Sequence, residues 1–347
     1  MIRFSEYVSL GHPDKIADYI SQYILDRYVE RDPDTRYAVE VQIKDRHVTI
    51  GGEITSAVGF SSSMIARFAR AAVNEIGYTQ EYQRKWGKEN TICGDELEVT
   101  VHINDQSPDI AQGVDRNKGW GDQGIFFGMC EYLPQTCGMP YDHTVAKRLC
   151  HALFESGIGG LDIKTQVVTE NDSIKRVIVA IPLLPDTDMQ PVIDFIQAHV
   201  PAKRGTYQLT INGTGRYVRH SSLADCGTTG RKLAVDFYGG NCRIGGGSPW
   251  TKDGTKADLT LNLAARRLAK NYAIEYGCAV YVSLACSIGS DLVDICATDA
   301  AGNVIVSGVT TLKPDVLRRD YKLDKPIYAS MCRWGLFGEY QQDKVWE

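Results

Sequence analysis

His12, Asp14 and Lys15 stand together in the stretch Val8-Ser9-Leu10-Gly11-His12-Pro13-Asp14-Lys15. Pro13 suits the first position of a helix, where the N–H it lacks would be unpaired in any case. Ile16, Ala17, Ile20, Ile24 and Tyr28 then recur at helical spacing and put a buried stripe on a segment running to about Glu30. A helix N-terminus presents free N–H groups and the positive end of its dipole, and both attract an anion. With a ring nitrogen, a carboxylate and an ammonium at that end, the stretch reads as a phosphate site. Taken alone, it reads equally as a surface cap and an Asp that complements the dipole.

A second group is Gly245-Gly246-Gly247-Ser248, followed by Lys252, Asp253, Lys256 and Asp258. Successive glycines expose N–H groups to phosphate oxygens, the lysines supply charge, and Asp258 can hold a metal that bridges the same oxygens. The run is not a Walker A loop, because the second glycine and the Ser/Thr after Lys252 are missing. Gly213-Thr214-Gly215 is not a dinucleotide fingerprint either, since its third glycine would fall at Val218. The third group is Gly230-Arg231-Lys232 with Asp225 upstream, where a kink at glycine lets both cations share one phosphate. Asp162 and Lys164 form a fourth. Taken alone, the glycine run reads equally as a flexible turn with solvated charges, and the third and fourth groups as surface ion pairs.

These groups need a scaffold of helices and strands. Alternation from Tyr37 to Ile43 predicts a strand with one buried face and Glu40 on the other; Asp45-Arg46 turns it into a second strand, His47 to Ile54. Gly51-Gly52, just before Glu53, allows a close backbone approach. Ser61 to Ile76 predicts a helix closed by Gly77, and Leu97, Val99, Val101 and Ile103 mark another strand. Asn104 to Gly124 is polar and glycine-rich, a loop long enough to act as a lid or to join domains. A helix near His143 to Ser156 follows, then a hairpin turning at Glu170-Asn171-Asp172 and a short helix from Met189. The last third carries a helix from Asp258 to Tyr276, strand-like segments Ala279–Ala285 and Val293–Thr298, and a short helix opened by Pro314. The rhythm suggests three units of sheet plus helices, 1–108, 109–211 and 212–347.

The bulk properties narrow the class. Hydrophobic content of 43% and charged content of 23% are ordinary for a globular chain. A formal net charge of −5 argues against a general nucleic-acid binder, so any polyanion site must be focal. The ten cysteines show no CxxC pair and no zinc ladder, and read as thiols of a reducing cytosol. The longest apolar run, near Val177 to Leu184, is interrupted by Pro182 and too short to cross a bilayer. A soluble, cytoplasmic protein that uses neither membrane nor nucleic acid is expected.

Read in order, Gly11-His12-Pro13-Asp14-Lys15, Gly52-Glu53-Ile54-Thr55, Gln106-Ser107-Pro108-Asp109-Ile110, Gly121-Asp122-Gln123-Gly124, Thr229-Gly230-Arg231-Lys232, the GGG…KD…K-x-D run and the closing Pro326-Ile327-Tyr328 and Gly335-Leu336-Phe337-Gly338 resemble the methionine adenosyltransferase (S-adenosylmethionine synthetase) family. The motifs cover nearly the whole chain. The resemblance implies an α/β fold of the α+β type, with three similar domains of β-sheet with helices packed on one face. It implies a homodimer with active sites at the interface, and further pairing of dimers as an option. The implied reaction joins ATP to L-methionine, with Mg2+ and K+ as cofactors, and the displaced tripolyphosphate is then hydrolysed. By similarity His12, Lys164, Arg231, Lys232 and Lys252 contact the triphosphate, Asp14 and Asp258 hold Mg2+, and Glu40 is the K+-site carboxylate. Glu53 and Gln106 match methionine-site positions, and Asp122, Asp225 and Lys256 also line the substrates. Asp162, Arg216, Tyr217 and Ser248 match positions around the nucleoside, and the loop after Gln106 matches a gate.

The chemistry agrees with that assignment. Methionine sulfur has a free lone pair, so displacement at C5′ needs alignment rather than a general base. The barrier lies in the leaving triphosphate, whose growing charge is met by cations placed in advance. His12 donates it either a hydrogen bond or a proton. The chain departs from the family at Leu10 (usually Glu), Thr210 (often an aromatic against adenine), Gly213 (Pro), Ala224 (Gly) and Ser248-Pro249-Trp250-Thr251 (Ala-Phe-Ser-Gly). Its gate is also short, with only Asp115 to Trp120 before Gly121. None of these removes a charged group from the cage. The competing readings are a non-catalytic nucleotide-binding or regulatory relative and a stand-alone tripolyphosphatase.

Overall fold

The computed structural model describes residues 1–104, 119–341 and 343–347. Gln106 and most of the expected gate therefore lie outside the described residues.

Among the described residues, three four-stranded sheets carry the chain. The first contains β1 (Ile2–Val8), β6 (Lys164–Glu170), β7 (Ser173–Ala180) and β8 (Gln208–Ile211), in that order. The second runs β4 (Glu98–Asn104), β3 (His47–Thr55), β2 (Arg36–Lys44), β9 (Gly227–Thr228). The third runs β12 (Val304–Thr311), β11 (Leu292–Asp299), β10 (Val280–Cys286), β5 (Gly124–Cys130). Pairing is antiparallel except β3 with β4 and β7 with β8. A division by sheet and a division at 1–108, 109–211 and 212–347 therefore assign β1, β5 and β9 differently: β1 pairs with β6, β5 with β10 and β9 with β2.

One face of each sheet is covered by a helix. The long ones are α1 (Pro13–Val29) on β2, α4 (Tyr141–Ser156) on β1 and β6, and α7 (Ala257–Tyr276) on β5 and β10, with α2 (Ser62–Ile76) against α1. Shorter helices are α3 (Gln80–Trp86), α5 (Met189–His199), α6 (Leu233–Asp236), α8 (Pro314–Asp320) and α9 (Tyr328–Cys332). The expected helices and strands all form. Pro13 opens α1, Gly77 ends α2, and the hairpin turn places Asn171 and Asp172 at φ 49° and 61°. The inner faces form one core running through Ile20, Ile24, Val39, Val41, Leu149, Val167, Leu263 and Val282. Among the described residues no helix is long and apolar enough to cross a membrane. Cys93, Cys130, Cys150, Cys286 and Cys332 are buried thiols.

Candidate active site

The start of α1 is built as its sequence predicts, with one exception. His12 caps the helix: its Nδ1 accepts the Asp14 backbone N–H at 3.2 Å. Burial, aided by the Lys232 ammonium, pushes the imidazole well below its usual range. The ring is thus neutral, carries its proton on Nε2, and can donate a hydrogen bond. Asp14 accepts the Thr228 N–H at 2.9 Å and takes the Lys232 ammonium, with Arg231 Nε 3.7 Å away. Burial opposes the charge on this carboxylate, and the Lys232 ammonium and the Thr228 N–H still hold it below the usual range. The short β9 pairs with β2 just ahead of Arg231-Lys232, and so brings those cations to the N-terminus of α1.

The exception is Lys15, which faces the interior. It is 2% exposed and reaches both carboxylate oxygens of Asp236 at 2.7 and 2.8 Å, with Asp18 Oδ2 at 3.3 Å. A helix turns about 100° per residue, so a neighbour of an anion-facing Asp14 points elsewhere. Asp18 Oδ1 accepts the Gly230 N–H at 2.8 Å. Trp250 donates its indole N–H to Asp236 at 2.8 Å, and Lys15 Nζ lies 4.7 Å from the Trp250 ring centroid. One buried lysine thus ties α1 to the Arg231-Lys232 segment and to the Gly245–Lys252 loop. Burial opposes the Lys15 charge, but the Asp236 carboxylate overrides it and holds the ammonium well above its usual range. Reading by motif missed Asp18 and Asp236, and marked Trp250 only as a departure from the family pattern. Asp18 left a signal, a carboxylate beside an otherwise apolar helical stripe; Asp236 left none, because its partner is far away in sequence. Lys15→Met would leave two buried carboxylates without their cation, and is expected to lower stability by about 3–5 kcal/mol. Urea unfolding at fixed protein concentration measures this; a loss under about 1 kcal/mol would mean that the cluster does not hold the loops.

The glycine-rich loop lies against α7. A Cβ on Gly247 would fall 2.0 Å from Asp258 Oδ1, so any larger residue there would displace this carboxylate. Asp258 pairs with Lys252, Lys256 stands at the N-cap position of the same helix, and Ser248 packs beside Gly230. Asp122 belongs to this group, since its carbonyl takes the Cys286 thiol at 3.4 Å and its charge, like that of Asp258, acts on that thiol. The end of the expected gate is anchored nearby, with the Trp120 N–H on the Ser290 carbonyl at 3.0 Å.

Glu40 joins the two halves. The edge of β2 that β9 pairs with also bridges Lys252 through Ala38, and the Glu40 carboxylate accepts the hydroxyls of Thr229 and, at 3.1 Å, Thr251. Thr251 holds φ 76°, with its N–H on Gln22 Oε1 at 2.9 Å. Glu53 sits on β3 in register with Ala38. The close approach allowed by Gly52 is to this sheet itself: a Cβ there would lie 2.1 Å from the Ala38 carbonyl oxygen.

Lys164 stands on β6, 3.7 Å from Glu6, and both it and the exposed Asp225 act on the His12 charge. Burial pushes Asp162 up to about 6, and its carboxylate takes the Ser221 N–H at 3.0 Å. The Tyr217 hydroxyl donates to the Asp162 carbonyl at 3.1 Å, and Arg216 beside it is exposed. Thr210, partly buried, lies on β8.

Within one chain two charged groups stand linked through Glu40: a neutral donor, His12, with Asp14, Lys164, Arg231 and Lys232 at the start of α1, and Lys252, Lys256 and Asp258 at the start of α7, each of the two carboxylates beside a lysine. Among the described residues no three metal-ligating side chains cluster. Single carboxylates suit a hard cation that completes its shell with phosphate oxygens and water.

Comparison with known proteins gives the lineage. The family model for the S-adenosylmethionine synthetase N-terminal domain matches residues 1–108, and that for the C-terminal domain residues 220–347. An S-adenosylmethionine synthase of Parafrankia sp. (strain EAN1pec) is 34% identical, over 99% of this chain and 95% of its own. One from Paramagnetospirillum magneticum is 34% identical over 96% and 92%. A solved structure described as an unusual S-adenosylmethionine synthetase from Campylobacter jejuni superposes with a TM-score of 0.87 at 30% identity, covering 97% of this chain and 95% of that one. The chain belongs to the S-adenosylmethionine synthetase family.

Proposed function

We propose that this chain is a methionine adenosyltransferase: the sulfur of L-methionine attacks C5′ of ATP and displaces tripolyphosphate, which is then hydrolysed to diphosphate and phosphate. The observation that carries this reading is the meeting of His12, Asp14, Arg231 and Lys232 at the N-terminus of α1, with Glu40 linking them to the loop of Lys252 and Asp258. An uncharged nucleophile needs no base, and the site's charge is suited to a polyanionic leaving group.

In this reading His12 donates its Nε2–H to the leaving oxygen, and Lys164, Arg231, Lys232 and Lys252 bind the triphosphate. Asp14 and Asp258 hold Mg2+, which adds positive charge at the phosphates when bound. Glu40, set among hydroxyls, holds K+. Glu53 and Gln106 take methionine; Asp122, Asp225 and Lys256 line both substrates; Asp162, Arg216, Tyr217 and Ser248 surround the nucleoside. Retention of every charged cage residue favours catalysis over a nucleotide-binding relative. Thiols such as Cys93 and Cys332 fit a reducing cytosol.

The working form is a homodimer. The sheet faces away from the helices expose Ile2 (55%), Phe4 (60%), Ile125 (56%) and Val309 (62%), an apolar surface suited to a second copy. The deciding experiment incubates the chain with ATP, methionine, Mg2+ and K+, and looks by mass spectrometry for S-adenosylmethionine. Tripolyphosphate cleavage without that product would leave only a tripolyphosphatase; neither reaction would leave a binding protein.

A further inference from the structure

Between α3 and the Tyr217–Asp225 loop, hydrogen bonds close into a ring. The Leu161 N–H donates to the Tyr82 hydroxyl oxygen at 2.9 Å, and that hydroxyl lies 2.7 Å from His220 Nε2. His220 Nδ1 lies 2.7 Å from the Val218 carbonyl oxygen. The carbonyl can only accept, so Nδ1 carries the ring proton, Nε2 is the acceptor, and the Tyr82 O–H must donate to it. The Tyr217 hydroxyl donates to the Asp162 carbonyl and closes the circuit from Val218 back to Leu161. Burial lowers His220 to about 4, which keeps the imidazole neutral. The ring sits among Tyr78, Tyr82 and Trp86, edge-on to Tyr82 and Trp86.

The same circuit holds Ser221 at φ 61°, a conformation that favours glycine, with its N–H on the Asp162 carboxylate and its hydroxyl on the His220 carbonyl. On its other side Tyr217 lines a cleft of about 460 Å3 together with Arg216, Asn212 and Ile211. Neither Tyr82 nor His220 belongs to the cation cage, yet the pair ties together Asp162 and Tyr217, the residues assigned above to the nucleoside.

We propose that Tyr82 and His220 are positioning residues for the nucleotide: their hydrogen bond fixes Asp162 and Tyr217 against each other, and so sets the nucleoside wall of the site. This rests on the function proposed above and deepens it. The pair acts on binding geometry, whereas triphosphate departure is governed by the separate cation cage.

The test uses the full-length chain. Tyr82→Phe removes one oxygen and is expected to raise KM for ATP about ten-fold while kcat changes less than about two-fold. His220→Asn keeps a donor for Val218 but loses the acceptor for Tyr82, and should do the same. The double variant should be no worse than either single one, because both delete the same interaction. Selective 15N-histidine NMR of the unaltered chain reads the tautomer without reference to activity, and should show His220 protonated at Nδ1. A proton on Nε2 overturns the inference. So does an unchanged KM for ATP in folded variants whose only change is a lower melting temperature, since that is what a purely structural role gives. If the unaltered chain neither turns over nor binds ATP, the proposed function fails and this inference fails with it; an active parent with indifferent variants sinks the inference alone.

Discussion

Asp14→Asn and Asp258→Asn are each expected to lower turnover of ATP and methionine by about 100-fold or more while leaving the chain folded. Each carboxylate is paired with a lysine, Asp14 with Lys232 and Asp258 with Lys252. A polyanionic substrate competes for those ammonium groups, and a carboxylate freed from its lysine is the hard-oxygen ligand a divalent cation needs. Asparagine keeps the shape, including an oxygen for the Thr228 N–H that Asp14 now accepts, but it removes the charge. The loss should fall on kcat more than on KM, since leaving-group charge develops mainly in the transition state. Circular dichroism would check the fold, and steady-state kinetics over a range of Mg2+ would check the assignment. Full turnover at saturating Mg2+ in both variants would remove Asp14 and Asp258 as metal ligands.

Much of this site was legible because its groups announce themselves locally. Pro13 places the helix start, Gly247 and Gly230 mark close approaches, and Lys252, Lys256 and Asp258 are spaced so that a helix N-terminus gathers them. What was not legible depends on distant pairing. Strand β1 was missed because its pattern is inverted: Ile2 and Phe4 face outwards while Ser5 and Tyr7 are buried. Its partner β6 lies far along the chain, so no turn residues betray the pairing. Strand β5 was hidden by the glycine-rich stretch before it and by Gly128, which is needed because a Cβ there would lie 2.1 Å from the Ala265 carbonyl oxygen.

Lys15 shows the other limit. A lysine in the first turn of an anion-facing helix looks like a ligand, and only the packed structure reveals the Asp236 carboxylate that claims it. The buried cluster gives the exposed cations a rigid seat. A cage of preplaced charge works only if its members do not relax towards each other or into solvent. The Asp18 contact to the Gly230 N–H and the Trp250 contact to Asp236 supply that rigidity from beneath.

The interface model has a consequence of equal size. By the family resemblance His12, Lys164 and Arg231-Lys232 reach a given site from one chain, and Gln106, Lys252 and Lys256 reach it from the other. His12→Asn and Lys252→Met should therefore each be nearly inactive as homodimers, because each removes a phosphate contact from both sites. In a mixed dimer with one lesion per chain, one site receives both lesions and the other receives none. Two-fold symmetry with random reassociation makes about half of the dimers mixed, so about one quarter of the unaltered activity should reappear. Unfolding and refolding the two variants together, with each treated alone as control, makes the measurement, and distinct affinity tags on the two chains verify that mixed dimers form. Verified mixed dimers as inactive as both controls would mean either that each site lies within one chain or that the two sites act only together. Titrating nucleotide sites separates these outcomes: one competent nucleotide site per mixed dimer points to coupling, whereas two impaired ones place every cage residue of a site on a single chain and remove the shared interface.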